Sequence, residues 1–273
     1  MPAVSAIVVT YQTGPRLKEC LYALSADPEV SEIVVIDNGN PEDAQEWIVS
    51  FCASSSKARY IDSGDNIGFA KGANLGARLA KNPWLLFINP DAVLRWHSAY
   101  PMIEAAKNEP RPCLIGGKIF GLDGKEQRGG RRRTLTLLRA IGLSKWTLED
   151  TPPPDGPIEM DAVSGALFMM EKTEFQKIGE FDEGYFLHVE DLDLCRRVWA
   201  SGGKVIYQPA AAALHYGSTA DATNEFVQGH KADGLKRYFE KFAGGTAEKL
   251  LLKLLLPIMM WRVRKKSDRE TPA

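Results

Sequence analysis

Short apolar runs alternate with helix-patterned segments from residue 5 to residue 89, and this alternation limits the fold more than any other feature. S-A-I-V-V-T at 5–10 and E-I-V-V-I-D at 32–37 are continuous and rich in β-branched residues, as in strands buried on both faces. A strand near 58–62 and another at 84–89 continue the series, and helical patterns at 15–26, 41–52 and 69–81 fill the gaps. Pro41 falls in a helix first turn, where its missing N–H does no harm. Strands alternating with helices predict a mostly parallel sheet flanked by helices. Ligands bind such sheets beyond the carboxyl ends of the strands. Thr10, Tyr11, Asp37, Asn38 and the string Asn89-Pro90-Asp91 all fall at those ends.

Gly68, Gly72 and Gly76 could suggest a phosphate loop at the 69–81 helix, but neither G-x-G-x-x-G nor G-x-x-x-x-G-K-[ST] is present. Close packing of that helix on the sheet is the reading for Gly72 and Gly76. After about residue 110 the order changes. A strand-like run at 114–120 leads into a basic loop, R-G-G-R-R-R at 128–133, and T-P-P-P-D-G-P at 151–157 is a loop rather than a linker. No internal repeat occurs at a period of 20–50 residues.

A chain of 273 residues with a net charge of −1 can bury a sizeable core and has no global pull towards nucleic acid. Cys20, Cys52, Cys113 and Cys195 are scattered, with no C-x-x-C pair, which argues against a zinc site or a disulfide framework and suits a reducing compartment. The N-terminus enters a strand pattern directly, so no signal peptide is expected. The apolar run at 250–261 is interrupted by Lys253 and Pro257 and falls short of a membrane span.

Four places carry candidate chemistry. Asp91, after a buried strand and a proline, is either a ligand for Mg²⁺ or Mn²⁺ against a diphosphate or the N-cap of a helix at 96–108. Glu190 and Asp191 open a helix running to Ala200 with Gly202 beyond it. They either complement the helix dipole or supply a carboxylate that takes a proton from a sugar hydroxyl. His215 closes a strand-like run and is either a core histidine or a metal ligand. Arg131, Arg132 and Arg133 form either a solvated loop or a clamp on a diphosphate.

Taken in order, these strings resemble the inverting glycosyltransferases of family 2, which have the GT-A fold. The resemblance covers roughly residues 3–220. S-A-I-V-V-T-Y is similar to the first strand and nucleotide-facing turn, E-I-V-V-I-D-N-G to the second, and D-N-I-G-F-A-K-G-A-N-L-G to the Asn-x-Gly segment. I-N-P-D is similar to the metal-binding D-x-D, with Asn89 in place of the first acid. S-G-A, F-D-E-G-Y-F, E-D-L-D-L-C-R-R and H-Y-G-S then follow in the family order. The Asn-Pro-Asp form, the acidic pair and the arginine loop look most like the rhamnosyltransferase-like branch. The Q-x-x-R-W of processive members is absent, so one sugar per encounter is expected.

The resemblance implies an α/β, Rossmann-like GT-A domain at 1–245, with a nucleotide-binding half at 1–110 and an acceptor-binding half at 111–245. It also implies Asp191 as the base, Asp91 and His215 as ligands of Mg²⁺ or Mn²⁺, and Thr10, Tyr11, Asp37, Asn66, Gly68 and Asn89 beside the donor. Gly165 and Glu190 fall on the acceptor side. The expected reaction moves a sugar, with rhamnose from dTDP-rhamnose as the first expectation, to a glycan or lipid-linked saccharide in cell-surface polysaccharide synthesis. Two other readings stand beside it: a sugar-1-phosphate nucleotidyltransferase, for which T-Y-Q-T-G-P-R at 10–16 is a poor match, and a non-catalytic carbohydrate- or membrane-binding protein. Residues 246–273 form an amphipathic basic tail. It is read either as an interfacial helix on the cytoplasmic face of a membrane or as a helix packed on protein.

Overall fold

The computed structural model describes residues 3–145, 147–217 and 221–267. Ser218 of the H-Y-G-S string, residues 268–273 of the tail and the side chains of Arg264, Lys265 and Lys266 lie outside that description.

The first half runs β1 (Val4–Thr10), α1 (Arg16–Ala26), β2 (Val30–Asp37), α2 (Glu42–Ser54), β3 (Ala58–Asp62), α3 (Phe69–Leu79), β4 (Trp84–Ile88), β5 (Ala92–Leu94) and α4 (Ala99–Ala106). Next come β6 (Cys113–Phe120), β7 (Arg131–Arg132), α5 (Leu137–Ala140), β8 (Ile158–Glu159), β9 (Ala162–Val163), β10 (Leu167–Glu171) and α6 (Lys172–Lys177). The chain closes with α7 (Glu190–Ala200), β11 (Lys204–His215), α8 (Asn224–Phe242) and α9 (Thr246–Ser267).

The main sheet has the order β3-β2-β1-β4-β10-β6-β11-β5, with β8 also on β11, and β7 pairs β9 in a separate small ribbon. β3, β2, β1 and β4 are parallel, as the alternation predicts. β10 then runs antiparallel between β4 and β6, while β6 and β11 are parallel. Thr10, Asp37 and Asp62 are in register, so three strands end on one line.

Residues alternate between two cores because strand side chains alternate between faces. Ile7 and Val9 of β1 share a core with α3 and α7, and Ala6 and Val8 share the other with α1 and α4. On the first face, Phe87 stacks on Phe168 at 4.7 Å and meets Phe175 at 5.0 Å and Phe181 at 5.4 Å. Truncating Phe87 to alanine would empty that cluster at a cost of about 3–5 kcal/mol. The close-packing reading of α3 holds: a Cβ on Gly76 would lie 2.6 Å from Ile7 Cγ2.

One local expectation differs from the structure. No helix follows Asp91. The chain enters β5, which pairs antiparallel with β11, and α4 begins only at Ala99. The N-cap reading of Asp91 is therefore wrong. The tail forms one helical element through Pro257, and it packs. Leu252 and Met259 are buried, Leu255, Leu256, Met260 and Val263 lie against the core, and Arg262 donates to the carbonyl of Ile141 beside α5.

Candidate active site

At the β1 and β2 ends, the buried Asp37 organises a turn. Its Oδ1 accepts the N–H groups of Gly39 at 3.1 Å and Asn40 at 2.9 Å, and Asn40 Nδ2 at 2.7 Å. Its Oδ2 accepts the Tyr60 hydroxyl at 2.9 Å. Thr10 is also buried and donates to Asn40 Oδ1 at 3.3 Å. Asn38 Nδ2 reaches Asn66 Oδ1 at 2.9 Å, and that oxygen also accepts the Gly68 N–H at 3.1 Å. Gly68 has φ +84°, and a Cβ there would lie 2.7 Å from the Phe186 carbonyl, so only glycine fits. The Tyr11 ring lies where a Cβ on Gly39 would approach it at 3.6 Å, with the Asn66 amide beside it. Tyr11 and Asn66 thus line a common edge, and Asp37 and Thr10 hold the loops that carry them.

β4 delivers Asn89 and Asp91, and β11 delivers His215. Because His215 pairs with Ala92 across the β5–β11 ladder, it arrives beside Asp91. Its Nε2 lies 3.3 Å from Asp91 Oδ1 and 3.1 Å from Asn89 Nδ2. Its Nδ1 lies 2.7 Å from Gln127 Oε1, and Gln127 Nε2 donates back to the His215 carbonyl at 2.6 Å. An amide oxygen can only accept, so Nδ1 carries the proton and Nε2 keeps its lone pair. That is the tautomer a metal requires, and Asp91 supplies an oxygen on the same side. The described residues contain no cluster of three or more His, Cys, Asp or Glu able to hold a metal. Two protein ligands fit a cation such as Mg²⁺, which is held by one or two carboxylates and completes its shell with water and substrate phosphate.

The acidic pair sits at the start of α7. His188 and Val189, just before it, have φ of 67° and 75°. A left-handed β-branched residue is strained, and here it sets how the helix presents its first carboxylates. Asp191 Oδ2 accepts the Gly165 N–H at 2.9 Å and Arg132 Nη2 at 2.5 Å, and Oδ1 accepts the Leu192 N–H at 2.7 Å. Burial works to raise its pKa, but the Arg132 charge and these hydrogen bonds outweigh burial and hold the carboxyl below its ordinary value. Glu190 shows the opposite effect. Burial, and then the neighbouring Asp191 charge, push it up to about 8. Its Oε2 is buried and makes no hydrogen bond among the described residues. Two adjacent carboxyls therefore differ in protonation at neutral pH, an arrangement frequent at catalytic sites.

The Asp91–His215 pair and the acidic pair are neighbours. Asn89 N–H donates to the Ala166 carbonyl at 3.1 Å, and Gly165, the preceding residue, donates to Asp191. One short backbone bridge thus ties the end of β4 to the start of α7.

The three arginines separate. Arg131 is buried on Glu126 at 2.8 Å, with further bonds to Thr151, Leu148 and Pro152. It ties a loop together, its guanidinium committed to these partners. Arg132 binds Asp191, and Arg133 is exposed. The run is neither a uniform clamp nor a simple solvated loop.

The model of the family described as glycosyl transferase family 2 matches residues 5–173 of this chain. The chain belongs to glycosyl transferase family 2. This glycosyltransferase is 28% identical over 235 residues to the N-acetylglucosaminyl-diphospho-decaprenol L-rhamnosyltransferase of Mycobacterium tuberculosis, covering 77% of this chain and 75% of that protein. It is 27% identical over 225 residues to the rhamnosyltransferase WbbL of Escherichia coli K12, covering 78% and 83%. Its fold is that of GalNAc-T7 crystallised with UDP, GalNAc and Mn²⁺, with a TM-score of 0.64, 16% identity, and coverage of 94% of this chain and 55% of that one. S. aureus TarS 1-349 in complex with UDP-GlcNAc gives a TM-score of 0.59, 15% identity, and coverage of 99% and 82%. The glycosyltransferase is rhamnosyltransferase-like in sequence and GT-A in fold.

Sequence reasoning missed two residues of this glycosyltransferase's site and misread the partner of a third. Gln127 fixes the His215 tautomer and Asn40 locks Asp37, while Arg132, read from the sequence as part of a diphosphate clamp or a solvated loop, bonds to Asp191. Nothing in the string E-Q-R at 126–128 marks Gln127, because its partner is 88 positions away.

Proposed function

We propose that this glycosyltransferase is inverting and metal-dependent, moving one sugar from a nucleotide-diphosphate donor to a glycan or lipid-linked saccharide in cell-surface polysaccharide synthesis. The observation that carries this reading is the backbone bridge joining Asn89, Asp91 and His215 to Asp191 at one end of the sheet. The two rhamnosyltransferase relatives support rhamnose as the sugar, with dTDP-rhamnose the first donor to try, and the mycobacterial relative's name supports a lipid-diphosphate acceptor.

Thr10, Tyr11, Asp37, Asn66, Gly68 and Asn89 form the donor side, with Tyr11 and Asn66 at the nucleotide and Asp37 holding their turn. Gly165 and Glu190 form the acceptor side. Asp191, ionised, takes the proton of the acceptor hydroxyl as its oxygen bonds to the anomeric carbon. The bond from that carbon to the diphosphate breaks on the opposite face, so the configuration inverts and the nucleoside diphosphate leaves. Asp91 and His215 would hold Mg²⁺ or Mn²⁺, which when bound supplies positive charge against the departing diphosphate. Glu190, neutral at the same pH, adds no repulsion towards the ionised Asp191.

The reading includes a place for the protein, peripheral on the cytoplasmic face of a membrane. None of the described helices is long and apolar enough to cross one. α9 packs on the body with one face, and the other exposes Leu250, Leu254, Ile258 and Trp261 at helical spacing, with Lys249, Lys253 and Arg262 also exposed. An apolar stripe with basic flanks suits anionic lipid.

The test of the catalytic reading is Asp191→Asn. Donor binding should persist while transfer falls by about 10²–10⁴-fold, the usual worth of a general base. Near-wild-type transfer by this variant would reject the assignment.

A further inference from the structure

Arg132 and Asp191 form a nearly buried ion pair between two elements that meet only in the tertiary fold. Arg132 lies on β7, and Asp191 opens α7, 59 positions later. Their side chains are 9% and 15% exposed, and the N···O separation is 2.5 Å. The same Arg132 nitrogen also donates to the Val163 carbonyl on β9, which pairs with β7. The guanidinium is therefore anchored before it reaches the carboxylate.

The carboxylate's two oxygens are used unequally. Oδ2 is occupied by Arg132 and the Gly165 N–H, whereas Oδ1 accepts only the Leu192 N–H among the described residues. A carboxylate oxygen has room for a second hydrogen bond. Several other charged or titratable groups surround the pair. Glu190 and Asp193 stand on α7 itself, and the exposed His188 precedes it. Lys231 and His230 approach from α8, and Cys195 lies one turn along α7 with its thiol pushed up to about 12 by burial. Of the groups here, Arg132 is the cation in direct contact with Asp191.

We propose that Arg132 is a positioning residue for the base: it keeps Asp191 ionised, fixes the carboxylate plane through Oδ2, and leaves Oδ1 to receive the acceptor proton. This rests on Asp191 being the base. It replaces the reading of Arg132 as a phosphate clamp, because a guanidinium committed to Val163 and Asp191 is oriented towards the base.

The test uses full-length protein labelled with ¹³C-carboxyl aspartate, with the Asp191 signal assigned by its loss in Asp191→Asn. In Arg132→Met the Asp191 titration midpoint should move to higher pH, because a contacting opposite charge has been removed. kcat should fall while the KM for donor stays near the wild-type value. Arg132→Lys, which keeps the charge, should retain a low midpoint. If the methionine variant does not fold, Arg132→Gln, which can still donate to Val163, carries the same comparison. An unmoved midpoint in the neutral variant, or a raised donor KM with kcat unchanged, would overturn the proposal, the second result pointing back to a phosphate contact. The two ideas fail separately. Transfer surviving in Asp191→Asn removes the base itself, whereas an inactive Asp191→Asn with an unmoved midpoint in the Arg132 variant removes only this inference.

Discussion

His215 Nε2 stands 3.3 Å from Asp91 Oδ1, although Asp91 lies in the turn between β4 and β5 and His215 ends β11, far apart in sequence. Gln127 sets the lone pair on that nitrogen by accepting the Nδ1 proton at 2.7 Å. EDTA should therefore abolish transfer, and Mg²⁺ or Mn²⁺ should restore it. Gln127→Ala should weaken Mn²⁺ binding by about 10–100-fold, the usual cost of losing an outer partner of a ligating histidine. Calorimetric Mn²⁺ titration reads this directly. If His215→Ala binds Mn²⁺ as wild type does, the histidine is a core residue.

Glu190 makes stability depend on pH. Burial and the adjacent Asp191 charge push it up to about 8, so the native state holds a proton that the unfolded chain has released from the ordinary carboxylate range upward. Stability should fall as pH rises through that window up to about 8. Asp191, held below its ordinary value, acts with the opposite sign and only at more acidic pH. Glu190→Gln should flatten the decline of Tm between about pH 6 and about pH 8. An equal decline in both proteins would show that Glu190 is not the group responsible.

Arg131 and Arg133 should behave differently despite lying two positions apart. Arg131 and Glu126 are 4% and 6% exposed at 2.8 Å, and breaking a buried pair by removing one partner costs about 3–5 kcal/mol. Arg131→Ala should lower Tm sharply. The exposed Arg133 should shift stability by less than about 0.5 kcal/mol when replaced by alanine. Chemical denaturation of the two variants checks both. Similar small losses would return the whole run to the surface.

The strand–helix alternation made the parallel β3-β2-β1-β4 half legible, because strands buried on both faces are continuous apolar runs. The antiparallel β10 was not legible. L-F-M-M-E is equally apolar, and nothing in it sets its direction between β4 and β6. Asp91, Asp191 and His215 were legible as residue types at element ends. Their partners were not, because the hydrogen bonds of Gln127 and Arg132 span 88 and 59 positions and leave no local pattern. The arginine run illustrates the limit. Three identical side chains in a row have three different environments: Arg131 and Arg132 lie on β7 and point to opposite sides, and Arg133 lies beyond it.

The tail calls for point changes rather than removal. Truncation before α9 would strip Leu252 and Met259 from the core, so loss of lipid binding in a truncated form could simply report misfolding. Replacing the exposed Leu254, Ile258 and Trp261 with serine leaves the packed face intact. These variants should keep their Tm and lose co-sedimentation with vesicles containing anionic lipid, and salt should weaken the wild-type binding. Undiminished co-sedimentation would remove α9 as the membrane contact.

The most direct measurement is NMR of the first reaction product formed by purified protein with Mg²⁺ or Mn²⁺, an NDP-sugar panel that includes dTDP-rhamnose, and a saccharide acceptor. Attack opposite the leaving group, with Asp191 taking the proton, requires a glycosidic bond of inverted anomeric configuration and one nucleoside diphosphate released per bond formed. A retained configuration would contradict the single-displacement chemistry assigned to Asp191, and release of pyrophosphate in place of the nucleoside diphosphate would identify a nucleotidyltransferase instead.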